Sequence, residues 1–243
     1  MEINTLYQKL LKHINDYLKS TNKKGIIIGL SGGIDSALVC ALCSKAVGKK
    51  NVLSLILPCE TSENEIKDAK LVAARFKINR QIIDLTPVYE KFIKILPTAD
   101  RITKGNLKAR LRMLTLYYFA NKLNYLVAGT GNKSEISVGY FTKYGDGASD
   151  FLPIGDLYKS EVRKLSEFAG IPKRIIEKIP TAGFWKKQTD EKELGITYDK
   201  LESMLKTGKL STKIMNKVIQ AKHKLRPPVM FYINDTIKKS SSS

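Results

Sequence analysis

The chain has 243 residues, 43% of them hydrophobic, which is enough for one or two domains with a full core. It carries 42 Lys and Arg against 23 Asp and Glu, a net charge of +19, and three cysteines. No window approaches 18 uncharged apolar residues, and the amphipathic start contains acids, which argues against a membrane span and a signal peptide. We therefore expect a cytoplasmic protein in a reducing compartment, with no membrane partner.

The excess of basic residues has three interpretations. It could form a nucleic-acid-binding surface, steer a polyanionic substrate such as two nucleotides bound together, or be lysine spread over solvated faces. The lysines are scattered through every predicted helix and form no run of five like charges. We favour the third interpretation over the second, and predict no nucleic-acid partner.

Helices and strands alternate along the first half of the chain. Apolar residues at helical spacing predict a helix over 3–19, and a β-branched run predicts a strand over 26–28 that leads into a helix near Asp35. The following elements are, in order, a strand over 52–58, a helix over 63–76, a strand over 81–85, a helix from Pro87, a polar loop over 97–105, a helix over 107–123 and a strand over 125–129. This alternation predicts a doubly wound parallel sheet with helices on both faces, in a single domain over 1–243.

The second half of the chain contains two long irregular stretches, over 139–156 and 180–195. Loops of this length are usually functional rather than simple connectors. Helices are predicted over 159–170, 197–206 and 211–225, and the polar tail over 236–243 is expected to fray.

The helix over 107–123 is apolar on two faces, which indicates that it is covered on two sides. We expect the sheet to cover one face and a second subunit the other. The first face consists of Leu107, Leu111, Leu114 and Tyr118, and the second of Met113, Leu116, Tyr117 and Ala120.

A glycine-rich turn joins the first strand to its helix, and its sequence is Gly29-Leu30-Ser31-Gly32-Gly33-Ile34-Asp35-Ser36. Adjacent glycines allow positive φ angles and let a ligand approach the backbone, and the helix N-terminus favours an anion. Two serine hydroxyls add donors, and the Asp35 carboxylate could hold Mg²⁺ against phosphate oxygens. The alternative is an ordinary glycine-rich turn. In either case the turn over 29–36 is not a Walker A loop, because no Gly-Lys-Ser/Thr follows.

The pattern Ser-Gly-Gly-x-Asp-Ser resembles the pyrophosphate loop of the ATP pyrophosphatases, which cleave ATP between its α- and β-phosphates. Later stretches make the resemblance specific: residues 129–135, 139–147, 150–153, 180–185 and 188–195, with the pair His223-Lys224. Together they resemble the ammonia-dependent NAD synthetases over nearly the whole chain. The resemblance implies the adenine nucleotide alpha-hydrolase-like fold of that superfamily.

It also implies a reaction. The nicotinate carboxylate of deamido-NAD would attack the α-phosphate of ATP, releasing pyrophosphate, and ammonia would then displace AMP from the acyl-adenylate to give NAD. Mg²⁺ would be the cofactor, and the enzyme would be a homodimer whose deamido-NAD site draws on both subunits. The residues before the first strand leave no room for a glutamine-hydrolysing domain, so we expect ammonia to come from solution or from another protein.

The resemblance further implies roles for individual residues. ATP would contact residues 29–36, the same turn, together with Thr130, Lys159 and Thr181, and Mg²⁺ would bind Asp35 and Glu135. Deamido-NAD would contact Arg110, Lys143, Asp150, His223 and Lys224. Plainer alternatives are that Glu135 is a helix-start carboxylate and that Arg110 and His223 are surface residues.

Asp146 lies between two glycines, which lets its backbone approach a reaction centre. A carboxylate there could attract ammonium and accept its proton, so we predict Asp146 as a catalytic residue. Lys159 is predicted as the other, because the resemblance implies that it is a cation on the polyphosphate. The alternative for Asp146 is a simple Asp-Gly turn.

Two other functions compete with NAD synthesis. A tRNA-thiolating ATP pyrophosphatase would suit the basic charge and the Cys40-x-x-Cys43 pair, but these cysteines lie in an apolar helix and Cys59 stands alone. A nucleotide-sensing module would leave Glu135 and the long loops unexplained.

Overall fold

The structure is a computed structural model that describes residues 2–185 and 188–231, so the predicted tail over 236–243 lies outside the described residues. Its sheet has four parallel strands in the order β3-β2-β1-β4. The strands are β1 (Gly25–Gly29), β2 (Val52–Ile56), β3 (Asn79–Ile82) and β4 (Tyr125–Ala128). In this register Ile26 lies opposite Val52 on one side and Leu126 on the other.

Eleven α-helices surround the sheet in the described part of the chain. They are α1 (Ile3–Ser20), α2 (Ile34–Val47), α3 (Glu63–Arg75), α4 (Thr86–Ile95), α5 (Arg101–Leu123), α6 (Lys133–Ser137), α7 (Lys159–Phe168), α8 (Lys173–Ile176), α9 (Asp190–Leu194), α10 (Tyr198–Thr207) and α11 (Thr212–Leu225). None of the described helices is long and apolar enough to cross a membrane.

The sheet has a hydrophobic core on each face. Ile26 and Ile28 pack with residues of α1, α2, α3 and α7, whereas Ile27, between them, packs with residues of α4 and α5. This alternation follows from the two-residue repeat of a strand. The predicted parallel sheet with helices on both faces is confirmed.

Three predicted ranges are wrong. The stretch over 180–195 is not irregular throughout, because it contains helix α9 (Asp190–Leu194). Helix α5 begins at Arg101 because the side chain of Asp100 accepts a hydrogen bond from the Thr103 backbone N–H (2.7 Å) and caps the helix, so the predicted loop over 97–105 is shorter. Strand β3 occupies Asn79–Ile82 rather than 81–85. The chain nevertheless stays beside β2, because Ile83 N–H donates to the carbonyl of Ile56.

Helix α5 is indeed apolar on two sides, but residues 2–185 and 188–231 cover only one of them. Leu111, Met113, Leu116 and Ala120 are buried against the sheet. Leu114 and Tyr118 are 69% and 63% exposed. Leu111 thus lies on the buried side and not with Leu114 and Tyr118, so the predicted grouping of the first face is wrong. A second subunit on the exposed side stays a prediction.

Candidate active site

The turn between β1 and α2 requires glycine at position 32. Gly32 has φ +79°, and a Cβ there would lie 2.7 Å from the carbonyl oxygen of Glu65 on α3. Hydrogen bonds hold the turn: the Ser31 and Ser36 hydroxyls lie 3.0 Å apart, and Ser36 also donates to the Gly33 carbonyl (3.0 Å). The turn is therefore a fixed feature, packed directly against α3.

A cavity of about 510 Å³ opens at the carboxyl ends of β1, β2 and β4, where ligands bind in open parallel sheets. Of the residues predicted to contact ATP, Gly32 and Ser36 lie behind its wall, Gly32 against α3 and Ser36 buried in the turn. The others line the cavity: Gly29, Leu30, Ser31, Gly33, Ile34, Asp35, Thr130, Lys159 and Thr181.

Lys159, at the start of α7, is the central cation of this site and its side chain is only 2% exposed. Its Nζ lies 2.5 Å from Asp35 Oδ2 and 3.1 Å from Glu135 Oε1. The amide of Asn132 donates to the other oxygen of Asp35 (2.9 Å). Glu135 also completes a capping box with Asn132, so its helix-start interpretation is confirmed, while its role as a Mg²⁺ ligand stays a prediction.

The close charges shift the pKa values of this group. Burial alone would lower the pKa of Lys159, but Asp35 and Glu135 outweigh it and raise the pKa above its usual range. Burial raises the pKa of Glu135 to about 7, with repulsion from Asp35 and Asp190 adding to it and Lys159 opposing it. Lys159 thus remains charged at neutral pH, while Glu135 titrates near it.

The sequence analysis missed a second pair of carboxylates, Asp190 and Glu193 on α9. The Tyr140 hydroxyl lies 2.6 Å from Glu193 Oε2, to which it can donate its one hydrogen, and 3.1 Å from Asp190 Oδ1. Tyr198, the first residue of α10, bridges the two groups by contacting Asp190 Oδ2 (3.0 Å) and Glu135 Oε1 (3.3 Å). Burial raises the pKa of both phenols and of Asp190. The tyrosines therefore stay protonated and serve as donors.

Asp35 and Glu135 fit Mg²⁺, which prefers hard oxygen ligands and commonly takes one or two carboxylates together with substrate phosphates and water. Both carboxylates contact the same atom, the Nζ of Lys159, beside the glycine-rich turn between β1 and α2. The described residues contain no group of three or more His, Cys, Asp or Glu able to hold a metal ion. This donor set suits a cation shared with phosphate rather than one held by the protein alone.

Asp146 lines the same cavity, and its Oδ1 accepts a hydrogen bond from the Thr142 backbone N–H (2.9 Å). Gly147 is needed beside it, because a Cβ there would meet the ring of Phe141 at 2.3 Å. Burial raises the pKa of Asp146, against the opposing hydrogen bond from Thr142. Asp146 is thus both a turn residue and a cavity residue.

The five residues predicted to contact deamido-NAD occupy three places. Lys224 lines the cavity and donates to the carbonyls of Gly139 (2.8 Å) and Phe141 (3.0 Å); burial lowers its pKa. A second group lies outside the cavity lining: the Arg110 guanidinium donates to the Lys143 carbonyl (3.3 Å), and Lys143 Nζ donates to the His223 carbonyl (2.8 Å).

Asp150 is separate from both groups. Its carboxylate accepts the Val127 N–H of β4 (2.7 Å) and the Tyr117 hydroxyl (3.2 Å), and it therefore fixes the chain beside the sheet edge. A substrate role for all five residues stays a prediction.

The three cysteines are all fully buried. Burial raises the pKa of Cys40 to about 12 and that of Cys43 well above its usual value. A sulfur carrier needs an accessible thiolate, and these thiols are neither accessible nor readily ionised. The site thus disfavours the tRNA-thiolating alternative.

The parallel sheet, with its glycine-rich turn and charged cluster at the carboxyl edge, defines the class: an α/β protein with the adenine nucleotide alpha-hydrolase-like fold. The sequence model of the NAD synthase family matches residues 6–242, and the chain belongs to that family.

Individual relatives agree with this membership. The NH(3)-dependent NAD(+) synthetase of Methanococcus aeolicus is 51% identical over 210 residues, covering 84% of this chain and 83% of the relative. Among solved structures, the NMN synthetase of Francisella tularensis superposes with a TM-score of 0.89 at 36% identity, covering 95% of this chain and 98% of its own. The NH3-dependent NAD synthetase of Campylobacter jejuni superposes with a TM-score of 0.80 at 32% identity. The match covers 96% of this chain and 100% of that one.

Proposed function

We propose that this chain is an NAD synthetase that amidates deamido-NAD with ammonia at the expense of ATP, which is cleaved to AMP and pyrophosphate. The observation that carries the proposal is Lys159, held between Asp35 and Glu135 beside the Ser31–Ser36 turn, in a chain of the NAD synthase family. Amidation needs no protein nucleophile, but it needs charge neutralisation on ATP and alignment of two substrates.

ATP would bind with its phosphates on the turn between β1 and α2. The backbone of the turn and the Ser31 hydroxyl supply donors, Ser36 holds the turn from behind, and Lys159 supplies a cation that remains charged. Asp35 and Glu135 would hold Mg²⁺, which when bound neutralises phosphate charge. The apolar side chains of Leu55, Met113 and Leu116 in the cavity wall suit the adenine ring.

In the first step a carboxylate oxygen of deamido-NAD forms a bond to the α-phosphorus, and the bond from that phosphorus to the β-phosphate oxygen breaks. Pyrophosphate leaves with the electron pair. In the second step ammonia bonds to the acyl carbon, AMP leaves with the former carboxylate oxygen and its electron pair, and the attacking nitrogen releases one proton to solvent as it becomes the amide. The chain contributes positioning and charge to both steps, with Asp146 taking the proton that ammonium must lose.

We also propose that the enzyme works as a homodimer in the cytoplasm, through the uncovered side of α5. Lys143, Arg110 and His223 lie outside the cavity lining, which suits a dinucleotide site completed by the partner subunit. We expect no specific nucleic-acid site. Retention of tRNA at roughly 0.3 M salt or above would contradict that expectation, since scattered lysines contribute only counterion release.

Nicotinate mononucleotide is a second candidate substrate, because the NMN synthetase of Francisella tularensis superposes with a TM-score of 0.89. Its name indicates amidation of the mononucleotide. We expect deamido-NAD to be preferred, since the relative with 51% identity is named for NAD.

The test is an assay of purified protein with ATP, Mg²⁺ and ammonium, and either deamido-NAD or nicotinate mononucleotide, with AMP and amidated product quantified. Equal amounts of NAD and AMP, with a higher kcat/KM for deamido-NAD, support the proposal. A higher kcat/KM for the mononucleotide would reassign the substrate, and no AMP with either would reject the activity.

A further inference from the structure

Lys178, just after α8, is a cation that no part of the sequence analysis singled out. Its side chain lines the cavity and is 25% exposed. Its Nζ lies 2.9 Å from Oδ2 of Asp68, a residue of α3 that is 3% exposed. A buried carboxylate therefore fixes a lysine at the cavity wall.

Asp68 stands directly behind the glycine-rich turn. A Cβ built on Gly32 would lie 2.8 Å from the Cβ of Asp68, so the two backbones are packed together. Asp68 thus ties Lys178 to the turn on its α3 side, whereas Lys159 meets the turn through Asp35. Two cations approach the same turn from different elements.

The contact with Asp68 uses only one of the hydrogen-bond donors of Lys178. Within residues 2–185 and 188–231, Asp68 is the only ionic or hydrogen-bonding partner of Lys178 Nζ, which has three N–H donors. Asp68 also meets Arg174 Nε at 2.8 Å from its other oxygen, without the alignment of a hydrogen bond. Lys178 Nζ therefore keeps donors for an anion, independently of Arg174, which is 61% exposed.

We propose that Lys178 binds the β- and γ-phosphates of ATP and the pyrophosphate that leaves, and that Asp68 is its positioning residue. This inference rests on the proposed function for the identity of the leaving group. Negative charge grows on the pyrophosphate as the α-phosphorus bond breaks, and a fixed cation at the turn stabilises that charge.

Arg174 provides a matched control, because it pairs with the same carboxylate but is 61% exposed and does not line the cavity. Calorimetry with inorganic pyrophosphate, with Mg²⁺ present, would compare wild type with Lys178→Gln, Lys178→Arg and Arg174→Gln. We expect Lys178→Gln to raise the Kd for pyrophosphate about tenfold. Arg174→Gln should stay within about twofold of wild type, and Lys178→Arg should recover most of the affinity.

Steady-state kinetics separates substrate contact from a structural effect. Lys178→Gln and Asp68→Asn should raise KM for ATP and leave KM for the nicotinate substrate unchanged. A Lys178→Gln variant that binds pyrophosphate like wild type, or an equal loss in Arg174→Gln, would overturn the proposal.

Acetylation of wild-type lysines, followed by mass spectrometry, needs no variant. Pyrophosphate should protect Lys178 and leave Arg174's neighbour Lys173 reactive, and equal acetylation of Lys178 with and without pyrophosphate would contradict the proposal. The calorimetry and the acetylation use no nicotinate substrate. A failure of the proposed amidation would therefore show in the wild-type assay alone, separately from a failure at Lys178.

Discussion

The ammonium group of Lys159 lies 2.5 Å from the carboxylate of Asp35, although 124 residues separate them in the sequence. Asp35 follows β1 and Lys159 opens α7, and the parallel sheet brings both to its carboxyl edge. Glu135 joins them at 3.1 Å from the same Nζ. One cation between two carboxylates remains charged at neutral pH and is fixed where phosphate would bind.

Replacement of either carboxylate by its amide tests the metal assignment. Asp35→Asn and Glu135→Gln should each lower pyrophosphate release at least about 100-fold, because an amide is a poorer Mg²⁺ ligand than a carboxylate. Both should still fold, since Asn can still accept from Asn132 and Gln still suits the capping box, but with a lower melting temperature because the buried Lys159 ammonium loses one counter-charge. Pyrophosphate release at the wild-type rate would remove that residue from the metal site.

The raised pKa of Glu135 predicts a pH-dependent stability. Burial raises that pKa in the folded protein from 4.5 to about 7, so the folded state holds the proton more tightly than the unfolded state. The contribution to the free energy of unfolding is therefore full below pH 4.5 and is lost as the pH rises through 7, by up to about 3 kcal/mol.

Urea unfolding at pH 5 and pH 7.5 measures this loss, with Glu135→Gln as the reference that cannot titrate. Wild type should lose more stability than Glu135→Gln between the two pH values. Equal losses would mean that Glu135 has an ordinary pKa.

Asp146 should serve the ammonia step rather than adenylation. Asp146→Asn removes the base but keeps an acceptor for the Thr142 N–H. We expect a normal first burst of pyrophosphate and slow NAD formation, partly restored by higher pH or more ammonium, because both supply free ammonia. Rapid-quench measurement of the two products follows the two steps. An equal loss of both steps in a folded variant would leave Asp146 as a turn residue only.

Alanine substitutions at Gly32 and Gly48 distinguish the effect of backbone strain from the effect of steric crowding. Both have positive φ, +79° and +84°, so alanine should cost about 1–3 kcal/mol in backbone strain at either position. Only Gly32 faces a neighbour, because a Cβ at Gly48 meets nothing within 4 Å. Gly32→Ala should therefore lose ATP affinity and more stability, while Gly48→Ala keeps its activity. Calorimetric ATP titration and thermal melting compare the pair, and unchanged ATP affinity in Gly32→Ala would contradict the phosphate role of the turn.

The uncovered side of α5 predicts the dimer contact. Leu114→Arg places a charge where Leu114 is 69% exposed in the single chain and should shift the protein to monomer in analytical ultracentrifugation. Leu71→Arg on α3, where Leu71 is 41% exposed, is the matched control. A dimer that survives Leu114→Arg unchanged would place the contact elsewhere.

The sheet and the turn could be predicted from sequence because both depend on local patterns. The β-branched run at 26–28 and the alternation of elements predict a parallel sheet. The adjacent glycines within residues 31–36 predict the turn, because glycine allows positive φ. The start of α5 was missed because the capping contact of Asp100 decides it, and hydrophobic periodicity gives no sign of that contact.

The rest of the site depends on contacts between distant elements. Asp190 and Glu193 lie in a stretch that resembles the family, yet no spacing indicates that Tyr140 and Tyr198 bind them. Lys178 has no local pattern at all, and only the packing of α3 behind the turn brings it to the cavity wall. Tertiary packing determines these contacts, so they could not be predicted from the sequence alone.

The central claim is that the nicotinate carboxylate becomes joined to the α-phosphate of ATP before ammonia acts. Deamido-NAD labelled with ¹⁸O in that carboxylate tests it directly, with the AMP product analysed by mass spectrometry. We expect one ¹⁸O atom to move into AMP in every turnover that makes NAD. AMP without ¹⁸O, alongside NAD formation, would contradict it.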